Sequence, residues 1–135
     1  MLRNSRKIVS KTLIICYMSV AVLCCAQTQK FISYSPEAFE KLLKDNPKVQ
    51  LVDVRRPEEY AAGHIDSAII INVLEADFLK KAKSLLDRSK PVAVYCRSGR
   101  RSKDAAQQLA KEGFTVYELD SGFLGWNEYK LRITN

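Results

Sequence analysis

Four residue types that together favour a reactive sulfur stand in one run, Cys96-Arg97-Ser98-Gly99-Arg100-Arg101-Ser102. The attacking form of cysteine is the thiolate. Positive charge, converging backbone N–H groups and the positive end of a helix all stabilise it. Here three arginines supply the charge, Gly99 lets the backbone turn tightly, and a helical pattern begins at once. The run therefore suits a nucleophile aimed at an anionic or sulfur-bearing substrate. The plainer alternative is a small buried hydrophobe at a strand end, with the arginines forming a solvated basic turn. Such a density of donors and charge around one thiol favours the reactive reading.

The elements that must position Cys96 follow from the pattern on either side of it. Residues 91–95 form a short apolar strand that delivers the sulfur. Residues 102–112 read as a helix, with Ala105, Ala106, Leu109 and Ala110 on one face and Gly113 as its stop. Upstream, a strand is expected around residues 31–33. Ser35-Pro36-Glu37 starts a helix, and Asn46-Pro47 breaks it. Residues 49–54 form an apolar strand buried on both faces. A short helix follows and ends near Gly63. Residues 68–72 form another strand, 75–86 a helix, and 114–119 a last strand. Residues 122–126 form a turn into a short terminal helix. Strands alternating with helices predict an α/β domain whose central, mostly parallel five-stranded sheet carries helices on both faces. Ligands of such sheets bind beyond the carboxyl ends of strands, where Cys96 falls.

The chain has 135 residues, enough for one domain and one core. Its composition, 47% hydrophobic and 27% charged, is that of a globular protein. The formal charge of +7 overstates its basic character, because Arg3, Arg6, Lys7 and Lys11 lie in a first stretch of 26 residues without an acid. Taking those four from +7 leaves +3, which with no basic-aromatic stripe gives no reason to expect nucleic acid. Residues 1–11 are basic and 12–26 mostly apolar, the pattern of a secretory signal with cleavage after Ala26. Val22-Leu23-Cys24-Cys25 also fits a lipoprotein signal, imperfectly, so attachment to a membrane is expected only through lipidation at Cys24 or Cys25. Either route exports residues 27–135, to the periplasm or a lipid anchor at the cell envelope. Cys16, Cys24 and Cys25 belong to the signal, which leaves Cys96 without an internal disulfide partner.

Taken in order, several segments resemble the rhodanese-like domain, a family of sulfurtransferases. They are Asp53-Val54-Arg55, Glu59-Tyr60, Gly63-His64-Ile65, Ala68-Ile69-Ile70-Ile71-Asn72, the Cys96 run, and Gly122-Phe123 through Trp126. The resemblance covers roughly residues 31–130. Ser121 and Ser67 stand where the family often has glycine. The resemblance implies a single-domain thiosulfate-type sulfurtransferase with Cys96 as nucleophile. In that chemistry Cys96 attacks a sulfane sulfur, sulfite leaves, and the resulting persulfide passes its sulfur to a thiol, cyanide or an acceptor protein. No cofactor is implied, and no His/Cys/Asp cluster has metal-ligand spacing.

In this reading Arg97, Ser98, Gly99, Arg100, Arg101 and Ser102 form the substrate-binding loop. Their N–H groups converge on the sulfur, and one arginine, Arg100 for preference, holds the donor dianion. Asp53 and Arg55 are expected to support the site as a buried pair. His64 is assigned a structural role, because sulfur transfer between thiolates needs no general base. Phe123 and Trp126 are assigned to core packing, and Glu58 and Glu59 to the dipole of the helix they begin. The expected partners are a small anionic sulfur donor and a thiol acceptor, which for an exported protein suggests a dithiol protein. Two rivals remain. One is a sulfur or redox carrier module for a partner protein. The other is a cysteine-dependent phosphatase, although that signature has arginine where Ser102 stands.

Overall fold

The structure is a computed structural model that describes residues 30–134. Its elements run β1 (Ile32–Tyr34), α1 (Pro36–Asp45), β2 (Gln50–Asp53), α2 (Pro57–Ala62) and β3 (Ile69–Ile70). They continue with α3 (Phe78–Leu85), β4 (Val92–Tyr95), α4 (Arg100–Lys111), β5 (Val116–Leu119) and α5 (Gly122–Thr134). The strands form one sheet in the order β1-β5-β4-β2-β3, with every neighbouring pair parallel. The expected α/β class and five-stranded sheet are therefore observed. The central strand is β4, so Cys96 emerges between β2 and β5 rather than at an edge.

Alternation along each strand divides the core in two. Val52, Val94 and Val116 face α3 and α4, packing with Phe78, Ala82, Ala105, Ala106 and Leu109. Leu51, Ala93, Tyr95 and Leu119 face the other way, onto Phe39 of α1 and Phe123 and Trp126 of α5. Ser35 opens α1 because its Oγ accepts the Ala38 N–H at 3.3 Å, and Pro36 at the first helical position has no N–H to satisfy.

Several boundaries move from where the pattern puts them. β3 shrinks to two residues: beyond it the chain leaves the sheet, with Ile71 N–H still donating to Asp53 O and Val73 N–H to Val54 O. α3 begins at Phe78 rather than at residue 75, because the Asn72 side chain accepts the Leu74 N–H and makes a competing turn. α4 begins at Arg100, two residues before Ser102, since Gly99 at φ +99° reverses the backbone immediately after the sulfur. Similarly, α5 starts at Gly122, where the sequence reads as a turn.

α5 is tied to α1 through Glu40, whose carboxylate accepts from Tyr129 Oη at 2.8 Å and Lys130 Nζ at 2.6 Å, with Lys44 Nζ at 3.2 Å. The Lys130 and Tyr129 hydrogen bonds hold its pKa down, to about 2. A carboxyl depressed on folding adds stability above its unfolded pKa, and that stability is lost as pH falls through the folded value. Acid is therefore expected to weaken the α1–α5 tie between pH 4.5 and 2. Urea midpoints measured across that range should fall less in Glu40→Gln than in the wild type. Equal slopes would remove Glu40 from the acid response.

Candidate active site

β4 ends at Tyr95, whose side chain is fully buried and whose hydroxyl accepts the Ile65 N–H at 3.0 Å. The next residue, Cys96, is 1% exposed. Its thiol donates to Ser102 Oγ at 3.4 Å, and its sulfur accepts the Gly99 N–H at 3.1 Å. Burial pushes the thiol pKa up. The Ser102 hydroxyl and the backbone N–H groups of Ser102, Ser98 and Gly99 outweigh burial, so the thiol sits below its ordinary value.

The N–H groups point inward because the carbonyls are held outward. Cys96 O accepts the Phe123 N–H at 2.8 Å and Arg97 O the Leu124 N–H at 3.1 Å, both from the first turn of α5. Gly122 makes that approach possible: a Cβ there would stand 2.5 Å from the Arg97 carbonyl and 2.6 Å from Ser98 N. Arg100, Arg101 and Ser102 form the first turn of α4, so only residues 97–99 make the free turn. Two helix N-termini thus serve the loop. α5 binds its carbonyls, and α4 directs its positive end at the sulfur.

Packing beneath α5 carries its own expectation. Ser121 Oγ is buried with no hydrogen-bond partner among the described residues, and a Cβ on Gly125 would stand 2.0 Å from it and 2.3 Å from Ser121 Cβ. Gly125→Ala is therefore expected to destabilise by about 1–3 kcal/mol. Adding Ser121→Gly should recover most of that in urea unfolding. A single variant as stable as the wild type would refute the steric pairing.

The arginines divide into two kinds. Arg101 donates from both terminal nitrogens to Glu59, at 2.8 Å each, and is thereby committed to α2. Its guanidinium and the Arg56 N–H hold the Glu59 carboxyl down, to about 2, against the effect of burial. Arg97 and Arg100 are exposed, as is Ser98. Asp53 and Arg55 lie beside the site as a buried pair, with contacts of 2.7 to 3.0 Å. Arg55 Nη2 also reaches Gly63 O at 2.7 Å, and the guanidinium lies 4.3 Å from the Phe123 ring centroid. His64 is exposed and stacks on Tyr60 at 3.7 Å, with Nδ1 2.9 Å from Tyr60 O.

Two acids reach this loop that the sequence does not assign to it. Glu59 is read from sequence as a helix-start residue, and its link to Arg101 spans 42 positions. Glu118, fully buried on β5, accepts from Ser102 Oγ at 2.6 Å. The available signal for Glu118 was an acid inside an otherwise apolar strand of a sheet covered on both faces.

Fold and loop together define a class: parallel α/β domains that present one thiol within a ring of backbone donors at the end of a central strand. A family model described as Rhodanese-like domain matches residues 35–129, and the chain belongs to that family. Two relatives show the extent of the likeness. The "Uncharacterized protein YqhL" of Bacillus subtilis is 44% identical over 80 residues, which are 58% of this chain and 61% of that protein. The "Thiosulfate sulfurtransferase GlpE" of Shewanella oneidensis is 42% identical over 82 residues, 59% of this chain and 77% of the relative. Among solved structures, a rhodanese-related protein from Thermoplasma volcanium superposes with a TM-score of 0.64 at 27% identity, covering 73% of this chain and 93% of the other. A polysulfide-sulfur transferase homodimer from Wolinella succinogenes superposes with a TM-score of 0.61 at 32% identity, covering 74% and 75%.

Proposed function

We propose that the protein is a sulfurtransferase that carries a sulfane sulfur as a persulfide on Cys96. The Cys96 thiolate attacks the outer sulfur of thiosulfate or a similar anionic donor. A new S–S bond forms, the donor's S–S bond breaks, and sulfite leaves with the electron pair. A thiol or cyanide then takes the terminal sulfur and returns the thiolate. The observation that carries this reading is the inward Gly99 N–H, 3.1 Å from the sulfur, on a loop whose Cys96 and Arg97 carbonyls are occupied by α5. Such donors favour an anionic sulfur in both the free and the persulfide state. Arg97 and Arg100, exposed at the loop, are the residues assigned to the donor dianion, while Arg101 anchors the loop on Glu59. The relatives named for thiosulfate and polysulfide transfer support the same chemistry. A phosphate ester fits poorly, because the position of a phosphatase arginine is held by Ser102, with the Glu118 carboxylate directly behind it.

The test is the intact mass of the protein after incubation with thiosulfate, beside Cys96→Ser. The expected result is a gain of one sulfur, about 32 Da, removed by thiol and absent from the variant. No gain with a reactive Cys96 would overturn the thiosulfate reading. Loading without turnover in the presence of cyanide or thiol would make the protein a carrier.

The proposal extends to location. Residues 1–26 lie outside the described residues. Their basic-then-apolar pattern supports export and a periplasmic or surface dithiol protein as acceptor. Recovery of the unprocessed chain from the cytosol of its source cell would remove the basis for both.

A further inference from the structure

Cys96 poses an electrostatic difficulty. A sulfur that is 1% exposed and loses its proton to solvent leaves a new net charge in a dry pocket. Among the described residues, the one side chain hydrogen-bonded to the sulfur is Ser102, and behind Ser102 stands the fully buried Glu118. The chain of contacts is directional. The thiol donates to Ser102 Oγ at 3.4 Å, and Ser102 Oγ donates to Glu118 Oε1 at 2.6 Å. Ser102 has a single proton. It can stabilise a thiolate only by turning that proton to the sulfur, and then Oε1 loses its shorter hydrogen bond and keeps the 3.3 Å one from Lys103 Nζ.

We propose that Ser102 and Glu118 form a proton relay behind Cys96. The S–H bond breaks as that proton joins Ser102 Oγ, and the proton Ser102 held passes to Glu118 Oε1. The products are a thiolate that accepts from Gly99 N–H and Ser102 O–H, and a neutral Glu118 that donates to Ser102. One negative charge is present before and after, so charge is moved within the pocket rather than created. Lys103 Nζ, 3.3 Å from Oε1, balances that charge in both states and also donates to Gly99 O at 3.2 Å. The charged and titratable groups facing Glu118 are Lys103 from α4 and, across Ser102, Cys96 at the end of β4. β1 contributes the neutral Ser33, whose Oγ donates to Oε2 at 2.6 Å. Glu118 is a positioning residue and proton acceptor that acts through Ser102. Its use in sulfur transfer rests on the function proposed above, but the relay itself does not.

The relay has a signature that a purely structural Glu118 lacks. Two sites sharing one proton keep a fixed thiolate fraction between their two macroscopic proton losses. The experiment is the pH dependence of Cys96 alkylation by iodoacetamide in the full chain, read by mass spectrometry of the Cys96 peptide. Over two pH units around neutrality the wild-type rate should change less than about twofold, rising again only in alkali. Glu118→Gln should lose the plateau and fall close to tenfold per pH unit below one thiol pKa. Ser102→Ala should do the same while leaving Glu118 its contacts to Ser33 and Lys103, and Ser102→Thr should restore the plateau. A wild-type profile with a single titration overturns the relay, even if no variant folds. A plateau that survives Glu118→Gln also overturns it. Thiosulfate loading measured on the same samples keeps the two proposals apart. Loading without a plateau removes the relay alone, and a plateau without loading removes the sulfur donor alone.

Discussion

Replacing Gly99 with alanine is expected to slow sulfur loading of Cys96 about a hundredfold or more, the scale of losing a preorganised backbone donor. Gly99 sits at φ +99°, where a side chain is strained, and a Cβ there would lie 2.0 Å from Asp120 O and 3.0 Å from Asp120 C. Neither neighbour is a flexible side-chain tip. The loop must swing away from Asp120, and the Gly99 N–H that lies 3.1 Å from the sulfur goes with it. The thiol pKa should rise in the same variant, since burial remains and one opposing hydrogen bond is gone. Single-turnover mass gain with thiosulfate measures the rate, and circular dichroism checks that the domain is folded. Loading at the wild-type rate would mean that the N–H cradle does not govern the chemistry.

Asp53→Ala is expected to destabilise the domain by about 3–5 kcal/mol, the range found when one partner of a buried ion pair is removed. Asp53 is fully buried and Arg55 only 4% exposed. Asp53 accepts from Arg55 Nε, Nη2 and the Arg55 N–H, so its loss leaves a guanidinium held mainly by Gly63 O and the Phe123 ring. That loss is a large part of a stability that for small domains is about 5–15 kcal/mol. Replacing both partners, Asp53→Asn with Arg55→Met, should recover part of it because no buried charge is then stranded. The damage should also reach the loop, since Phe123, under the guanidinium, holds Cys96 O through its N–H. Urea unfolding is the measurement, and a midpoint within error of the wild type would show that the pair adds nothing net.

Much of this architecture is legible in the chain. The strand before Cys96, the helix after it, the Ser35-Pro36 helix start and the parallel class all arise from signals within a dozen residues. Apolar spacing, proline, glycine and capping side chains act on the local backbone, so their consequences are local as well. The errors in reading are local competitions too. Asn72 captures the Leu74 N–H and delays α3, while Gly99 reverses the backbone early and advances α4. The site was less legible, because its loop is adjacent in sequence while its supports are not.

By itself the sequence determined that a single thiol stands between a buried strand and a helix start, within an arginine-rich turn. Those are backbone preferences fixed by neighbouring residues. Only the tertiary structure decided which groups face that thiol. The order β1-β5-β4-β2-β3 sets β5 beside β4, which puts Glu118 under Ser102 and Gly122 against Arg97. It also brings α2 close enough for Glu59 to take Arg101 and leave Arg97 and Arg100 in solvent. Such pairings join residues many positions apart across parallel crossovers, and local propensity carries no information about which side chains those crossovers bring together.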